Sequence, residues 1–148
     1  MHTYDTAGQE QFRSLSENYY KKADCCLLVY DITKIESFEE CLGYYNKCIH
    51  EKCKKNIPVI LLGNKSDLED KRVITSEDGA LFSEQNGYMF METSCLKNTN
   101  VSNAFENLIE LTNREMQKNN NDLRRKGTLL KKDKIKRSSN CSCKSIFK

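Results

Sequence analysis

Pro58–Asp67 reads PVILLGNKSD, an unbroken apolar run that ends in a glycine and a cluster of polar side chains. A short apolar run bounded by turn residues is typical of a strand buried on both faces, as in a parallel sheet. We therefore predict a strand over Pro58–Gly63. Cys25–Asp31 (CCLLVYD) has the same character, and Tyr88–Thr93 (YMFMET) is a weaker third example. A further strand is predicted to end at His2–Asp5.

Apolar residues at helical spacing separate the predicted strands. Three stretches show this spacing and are predicted to be helices: Glu36–Cys53, Ser76–Gln85 and Val101–Lys118. Thr75 or Ser76 is expected to cap the second helix. The alternation of strands and helices predicts an α/β fold with a doubly wound, mostly parallel sheet. Ligands of such sheets bind at the carboxyl ends of the strands.

Charge is distributed unevenly along the 148 residues. Residues 1–119 carry 14 Lys and Arg against 19 Asp and Glu, whereas residues 120–148 carry 10 against 2. Because the helical pattern stops after Lys118, we predict a domain over 1–118 and a flexible basic tail over 119–148. The tail favours an anionic membrane surface over nucleic acid, since no aromatic residues are interleaved with its basic ones.

The cysteines and the N-terminus favour a cytoplasmic protein. No basic segment is joined to an apolar one at the start of the chain, so no secretory signal is expected. The eight cysteines are therefore predicted to be reduced thiols. A zinc site at Cys48, His50 and Cys53 is an alternative, although their C-x-H-x-x-C spacing matches no common zinc pattern.

GNKSD, after the strand at Pro58–Gly63, has the residue types that recognise guanine. The carboxylate of Asp67 can accept two parallel hydrogen bonds from the N1–H and the 2-amino group of guanine, and adenine offers neither donor. Lys65 can lay its stem along the base. Asn64 can tie the neighbouring loops together and meet the base. The alternative interpretation is a polar turn after a strand.

ETSCLKN follows the third predicted strand. Backbone N–H groups around Ser94, Cys95 and Leu96 can donate to the O6 of guanine, at the position where adenine carries an amine. The alternative is a Ser or Thr cap at the start of the final helix. Both this segment and GNKSD fall at the carboxyl ends of predicted strands, which favours a common site.

DTAGQE, at residues 5–10, is the most specific motif in the chain. The segments on which a family resemblance rests are DTAGQEQFRSL, which extends this motif, YYKKA (Tyr19–Ala23), LLVYDIT (Leu27–Thr33), ESFEE, VILLGNKSDL and ETSCLKNTNV. Over residues 2–118 the chain resembles the small GTPases of the Ras superfamily and, more narrowly, the Rab family. The resemblance implies the fold of P-loop NTPases and a switch in vesicle traffic that binds GTP or GDP with Mg²⁺ and hydrolyses GTP.

The resemblance also implies roles for residues of the DTAGQE segment. Asp5 would hold Mg²⁺ through a water molecule, the N–H of Gly8 would bind the γ-phosphate, and Gln9 would orient the attacking water. Phe12–Tyr20 would be the switch segment that effectors, exchange factors and GTPase-activating proteins read.

The sequence departs from the family pattern at the phosphates. No G-x-x-x-x-G-K-S/T segment occurs in the chain, and the threonine-bearing first switch is also missing. The resemblance therefore implies an N-terminally truncated small GTPase that lacks the P-loop and switch I and is defective in phosphate binding. The alternative is a non-catalytic interaction module, or a degenerate relic of a Rab-like gene.

Two cysteines lie near the end of the chain, in NCSCKSIFK. Rab-like proteins carry C-terminal cysteines as prenyl acceptors, so the resemblance implies lipidation of Cys141 and Cys143 and a peripheral location on the cytosolic face of an intracellular membrane. Five residues follow Cys143, however, so the end is neither C-C, C-x-C nor a C-a-a-X box. The alternative is a basic tail with two unmodified thiols.

Overall fold

A computed structural model describes residues 19–54 and 56–125 of the chain. Its strands are β1 (Cys26–Asp31), β2 (Val59–Asn64) and β3 (Met89–Thr93), and they form one sheet in the order β1-β2-β3. Both pairings are parallel. The predicted α/β class with a parallel sheet is therefore confirmed for the part of the chain that the structure describes.

Helices connect the strands and continue beyond the last one. The α-helices are α1 (Ile35–Glu40), α2 (Asn46–Lys52), α3 (Ser76–Asn86) and α4 (Val101–Arg125). The stretch predicted as one helix over Glu36–Cys53 is not uniform, because π-helical turns at Cys41–Tyr45 separate α1 from α2. Gly43 lies in these turns, and glycine is a weak helix former. A 3₁₀ turn, Glu69–Lys71, follows β2.

The sheet is covered on both faces, since successive strand residues point to opposite sides. One face packs against α1, α2 and the turns between them, in a core that includes Cys26, Leu28, Tyr30, Phe38, Cys41, Cys48 and Leu61. The other face packs against α4, in a core that includes Cys25, Leu27, Val29, Ile60, Leu62, Ala104 and Leu108. Burial on both faces explains why β1 and β2 read as continuous apolar runs.

The last helix is longer than its apolar pattern indicates. It continues at least to Arg125, beyond the predicted end at Lys118, and no glycine or proline interrupts residues 119–125. The domain boundary at 118 stays a prediction, and the predicted strand at His2–Asp5 lies outside the described residues. None of the helices described, α4 included, is both long and apolar enough to span a bilayer.

The prediction of reduced thiols is confirmed for five cysteines. Free thiols are found at Cys26, Cys41, Cys48, Cys53 and Cys95. Burial raises the pKa of the Cys41 thiol to about 12. The described residues contain no cluster of three or more His, Cys, Asp or Glu side chains that is arranged to hold a metal ion.

Of the two residues predicted to cap α3, Thr75 takes that role. The Thr75 hydroxyl accepts a hydrogen bond from the backbone N–H of Asp78 at 3.1 Å, and the Asp78 carboxylate accepts one from the backbone N–H of Thr75 at 3.3 Å. This reciprocal pair is a capping box. Gly87 ends the helix with φ +68°, a left-handed conformation that glycine adopts without strain. The helix bounds are thus set by local side-chain chemistry.

Gly79 is the position where α3 approaches the sheet most closely. A Cβ atom at Gly79 would lie 2.6 Å from Cε2 of Phe90 and 2.6 Å from the hydroxyl of Tyr30, whereas one at Gly43 would meet no atom within 4 Å. We expect Gly79→Ala to lower the free energy of unfolding by about 2 kcal/mol, because the core would be overpacked. The matched control Gly43→Ala should leave it unchanged or raise it by about 0.5 kcal/mol. Urea denaturation measures both values, and equal effects of the two substitutions would contradict this packing.

Candidate functional site

The carboxyl ends of β2 and β3 bring two predicted site segments together. Asn64, the last residue of β2, is aligned with Thr93 at the end of β3. The hydroxyl of Thr93 donates to Oδ1 of Asn64 at 3.3 Å, and the N–H of Ser66 donates to the carbonyl of Thr93 at 3.0 Å. Asn64 therefore helps to tie the loop after β2 to the loop after β3.

The carboxylate of Asp67 is held by Ser94. The hydroxyl of Ser94 donates to Oδ1 of Asp67 at 2.5 Å and accepts a hydrogen bond from the N–H of Lys97 at 3.0 Å. Ser94 is buried, with 1% of its surface exposed. A hydrogen bond to a charged oxygen from a buried, fixed donor orients the carboxylate. Within the described part of the chain, Oδ2 of Asp67 accepts no hydrogen bond, so it can bind a ligand.

The backbone around Cys95 differs in one respect from the prediction. The N–H of Ser94 donates to the carbonyl of Thr99 at 3.1 Å, so it is not available to a ligand. The N–H groups of Cys95 and Leu96 make no hydrogen bond to any described residue, and their role as donors to O6 stays a prediction. The side chain of Leu96 is 83% exposed. Ser94 thus serves the site through its hydroxyl rather than through its backbone.

Lys65 adopts an unusual backbone conformation and pairs with a residue that sequence reasoning missed. Its φ is +67°, in the left-handed region that few non-glycine residues adopt. Its ammonium lies 2.6 Å from Oδ2 of Asp31, the last residue of β1. Burial raises the pKa of Asp31, but hydrogen bonds from Lys65 and Thr33 outweigh burial and leave that pKa below its usual value. Asp31 is aligned with Asn64 in the sheet, and that register is the signal that could have found it.

An ionic cluster, the Arg72 cluster, is formed by Arg72, Glu69 and Glu92 next to the site. Arg72 donates two hydrogen bonds to Glu92 at 2.7 and 3.0 Å, and two to Glu69 at 2.7 Å each. The hydroxyl of Ser76 donates to Glu92 at 2.7 Å. These bonds raise the pKa of Arg72 further above its usual value. The cluster joins the 3₁₀ turn, the start of α3 and the end of β3, and Glu92 immediately precedes Thr93.

Five predicted site residues lie outside the described part of the chain. They are Asp5, Gly8, Gln9, Cys141 and Cys143. Their roles stay predictions. The residues that the structure does bring together are those predicted to contact guanine, namely Asn64, Lys65, Asp67, Ser94, Cys95 and Leu96.

These polar residues lie at the carboxyl edge of a parallel sheet, where α/β proteins with doubly wound sheets bind their ligands. Residues 1–114 match the sequence profile of the Ras family. Because this match covers more than half of the 148 residues, the chain belongs to the Ras family of small GTPases, and within it the chain is Rab-like.

Three curated relatives illustrate the similarity to Rab proteins. Ras-related protein RABA4b of Arabidopsis thaliana is 46% identical over 106 residues, which cover 72% of this chain and 47% of that protein. Ras-related protein RGP1 of rice (Oryza sativa subsp. japonica) is 43% identical over 117 residues, covering 79% and 51%. Ras-related protein RabQ of Dictyostelium discoideum is 45% identical over 103 residues, covering 70% and 50%. The chain thus spans about half the length of the curated relatives it matches.

The pairing of Glu92 with Arg72 makes stability depend on pH. Burial raises the pKa of Glu92, but hydrogen bonds from Arg72 and Ser76 outweigh burial and lower it. A carboxyl group whose pKa is lower in the folded state stabilises the fold above its unfolded pKa, and this contribution is lost as the pH falls below about 4.5. We expect Glu92→Gln to lower the free energy of unfolding by about 1 kcal/mol at pH 7 and by less as the pH approaches 3.

Glu84→Gln is the matched control for this measurement. Glu84 is exposed on α3 and makes no ion pair with a described residue. We expect its substitution to change the free energy of unfolding by less than about 0.5 kcal/mol. Urea denaturation of the unmutated chain and both variants from pH 7 to pH 3 provides the comparison. A Glu92→Gln deficit that stays constant over this range would show that the charge of Glu92 is not responsible.

Proposed function

We propose that this chain recognises guanine nucleotides as the base-binding part of a Rab-like switch in vesicle traffic. The observation that supports this most is the orientation of the Asp67 carboxylate by Ser94 at the carboxyl edge of the sheet. A carboxylate fixed in this way accepts hydrogen bonds from a flat ligand without first having to be ordered. Membership of the Ras family supports the same function.

The arrangement favours guanine over adenine at two positions. The carboxylate of Asp67 accepts hydrogen bonds from the N1–H and the 2-amino group of guanine, which adenine lacks. The N–H groups of Cys95 and Leu96 donate to O6 of guanine, whereas adenine presents an amine there and would leave both donors unpaired. Because polar groups that a base covers without pairing lose their hydrogen bonds to water, both positions disfavour adenine. Lys65 adds apolar contact along the base through its stem.

GTP hydrolysis is proposed from the resemblance of the DTAGQE segment to its family. Bound Mg²⁺ would neutralise charge on the phosphates. Asp5 would hold that ion through a water molecule, Gly8 would contact the γ-phosphate, and Gln9 would orient the attacking water. Effectors, exchange factors and GTPase-activating proteins of the family type are the proposed protein partners. Since the chain spans about half of its relatives' length, these activities of the whole protein are proposals.

A second candidate function is a non-catalytic interaction module. It is favoured by one observation, namely that no G-x-x-x-x-G-K-S/T segment occurs in the sequence. That segment normally supplies the backbone donors, the lysine and the hydroxyl that bind the phosphates and Mg²⁺. The chain as given would then recognise the base and hold the phosphates weakly. The two candidates differ in the contribution that phosphates make to affinity.

The first test of guanine recognition is nucleoside binding, measured by NMR titration. We expect guanosine to bind at least about tenfold more tightly than adenosine, because a bidentate hydrogen-bonded pair discriminates by about 1–3 kcal/mol. Asp67→Ala should remove this preference. Asp70→Ala is the matched control, since Asp70 is exposed in the 3₁₀ turn and should leave it intact. Equal affinities of the unmutated chain for the two nucleosides would refute guanine recognition.

Titration with GDP and Mg²⁺ separates the two candidate functions. For the non-catalytic module, we expect GDP to bind less than about tenfold more tightly than guanosine, because the chain offers no phosphate loop. A dissociation constant below the micromolar range would instead support a phosphate site formed by this chain, and with it the GTP-hydrolysing switch.

We also propose that the C-terminal segment attaches the protein to an anionic membrane. The segment 120–148 carries 10 basic residues, and a basic patch with one lipid, or two lipids, is what stable anchoring requires. We expect the protein from its native cell to be heavier than its sequence by one or two isoprenoid groups. Intact-mass spectrometry of the protein and of a Cys141→Ser/Cys143→Ser double variant measures this. An unmodified mass for the natural chain would exclude prenylation.

A further inference from the structure

We propose that Asp31 is a positioning residue of the guanine site, which holds the ammonium of Lys65 so that the lysine stem stays along the base. This inference rests on the proposed guanine recognition. It assigns a role in base binding to the first strand of the described sheet, in addition to the loops after β2 and β3.

Asp31 is itself fixed from several directions. Its Oδ1 accepts hydrogen bonds from the N–H and the hydroxyl of Thr33, at 2.9 and 2.7 Å. Its backbone N–H donates to the hydroxyl of Ser37 at 3.0 Å. The side chain is 13% exposed, so little freedom is left to the carboxylate. Oδ2 is therefore presented in one direction, and that is where the ammonium of Lys65 lies.

Lys65 is more exposed than Asp31, and its side chain is ordered by the contact with Asp31. Its side chain is 48% exposed, and a lysine in that setting has many rotamers to lose when a ligand orders it. Its left-handed backbone conformation, φ +67°, sets where the stem begins, and the 2.6 Å contact with Asp31 sets where it ends. A stem fixed at both ends is ordered before the base arrives. Ordering a group in advance removes that cost from the binding step.

Asp24 and Lys54 provide a matched control within the same chain. They form an ion pair of 2.8 Å, with side chains 22% and 57% exposed. Asp24 precedes β1, at the opposite end of the strand from Asp31. The two pairs are alike in length and exposure, but only one adjoins the proposed guanine site. Asp24→Asn thus measures the effect of losing a comparable ion pair that has no role in the site.

The experiment measures guanosine binding to the full chain by NMR titration. We expect Asp31→Asn to weaken guanosine binding about three- to tenfold, because the binding step then includes the cost of ordering one long side chain. Asp24→Asn should change the affinity for guanosine less than about 1.5-fold. The preference for guanosine over inosine, which lacks the 2-amino group, should not change in Asp31→Asn because Asp67 sets it. In a Lys65→Met background, the loss from Asp31→Asn should disappear. A merely structural role of Asp31 would not give this dependence on Lys65.

A measurement without ligand checks the contact directly. Acetic anhydride should acylate Lys65 faster in Asp31→Asn than in the unmutated chain, and at an unchanged rate in Asp24→Asn. Thr33→Val is a second, milder variant in case Asp31→Asn does not fold. Thr33→Val removes one hydrogen-bond donor to the Asp31 carboxylate. It should weaken guanosine binding about twofold, because Lys65 would then be held less firmly before the base binds.

Three results would overturn the inference. Unchanged guanosine binding in Asp31→Asn, or in Thr33→Val where Asp31→Asn does not fold, would overturn this inference alone. A loss that persists in the Lys65→Met background would do the same. If the unmutated chain binds no guanosine, the proposed function fails and this inference fails with it.

Discussion

The parallel register of the three strands is the constraint on which the site depends. Asp31, Asn64 and Thr93 are the last residues of β1, β2 and β3, and the pairing aligns each with its neighbour. In a parallel sheet all strands run in one direction, so the loops that follow them leave from the same edge. Residues far apart in the sequence thereby become neighbours. The apolar strand interiors, buried on both faces, are what hold this register.

Rigid groups at this edge do most of the positioning. The Asp67 carboxylate and the Arg72 guanidinium are each held by a group from a separate segment, whereas the Asp31 carboxylate is held by Thr33 of its own loop. Lys65 and Asn98 have φ of +67° and +51°, so the loop backbone also adopts conformations that most residues avoid. Such strain commonly occurs at functional sites, where the surrounding structure imposes it. The Asp31–Lys65 pair and the Arg72 cluster include Lys65 and Glu69, which stand on either side of Asp67 in the sequence.

The sequence predicts the elements well and their side-chain partners incompletely. Apolar runs and helical spacing are local signals, and they located all three strands and the capped helix α3. The residues of GNKSD that are proposed to contact guanine could be predicted because their chemistry is readable within one loop. The Asp31–Lys65 pair and the Arg72 cluster join segments that only the tertiary fold brings together. Nor does the local pattern reveal that the N–H of Ser94 is already bonded to Thr99.

Base recognition and phosphate chemistry, both proposed for this protein, are separable in principle. Every contact that orders the proposed guanine site is made between residues of 31–99, within the part that the structure describes. The DTAGQE segment at residues 5–10 lies outside that part. A base site organised by its own hydrogen bonds can keep its selectivity even where affinity for the phosphates is low, because selectivity is a difference between two affinities. Nucleosides carry no phosphate, and they are therefore the ligands with which base recognition can be tested by itself.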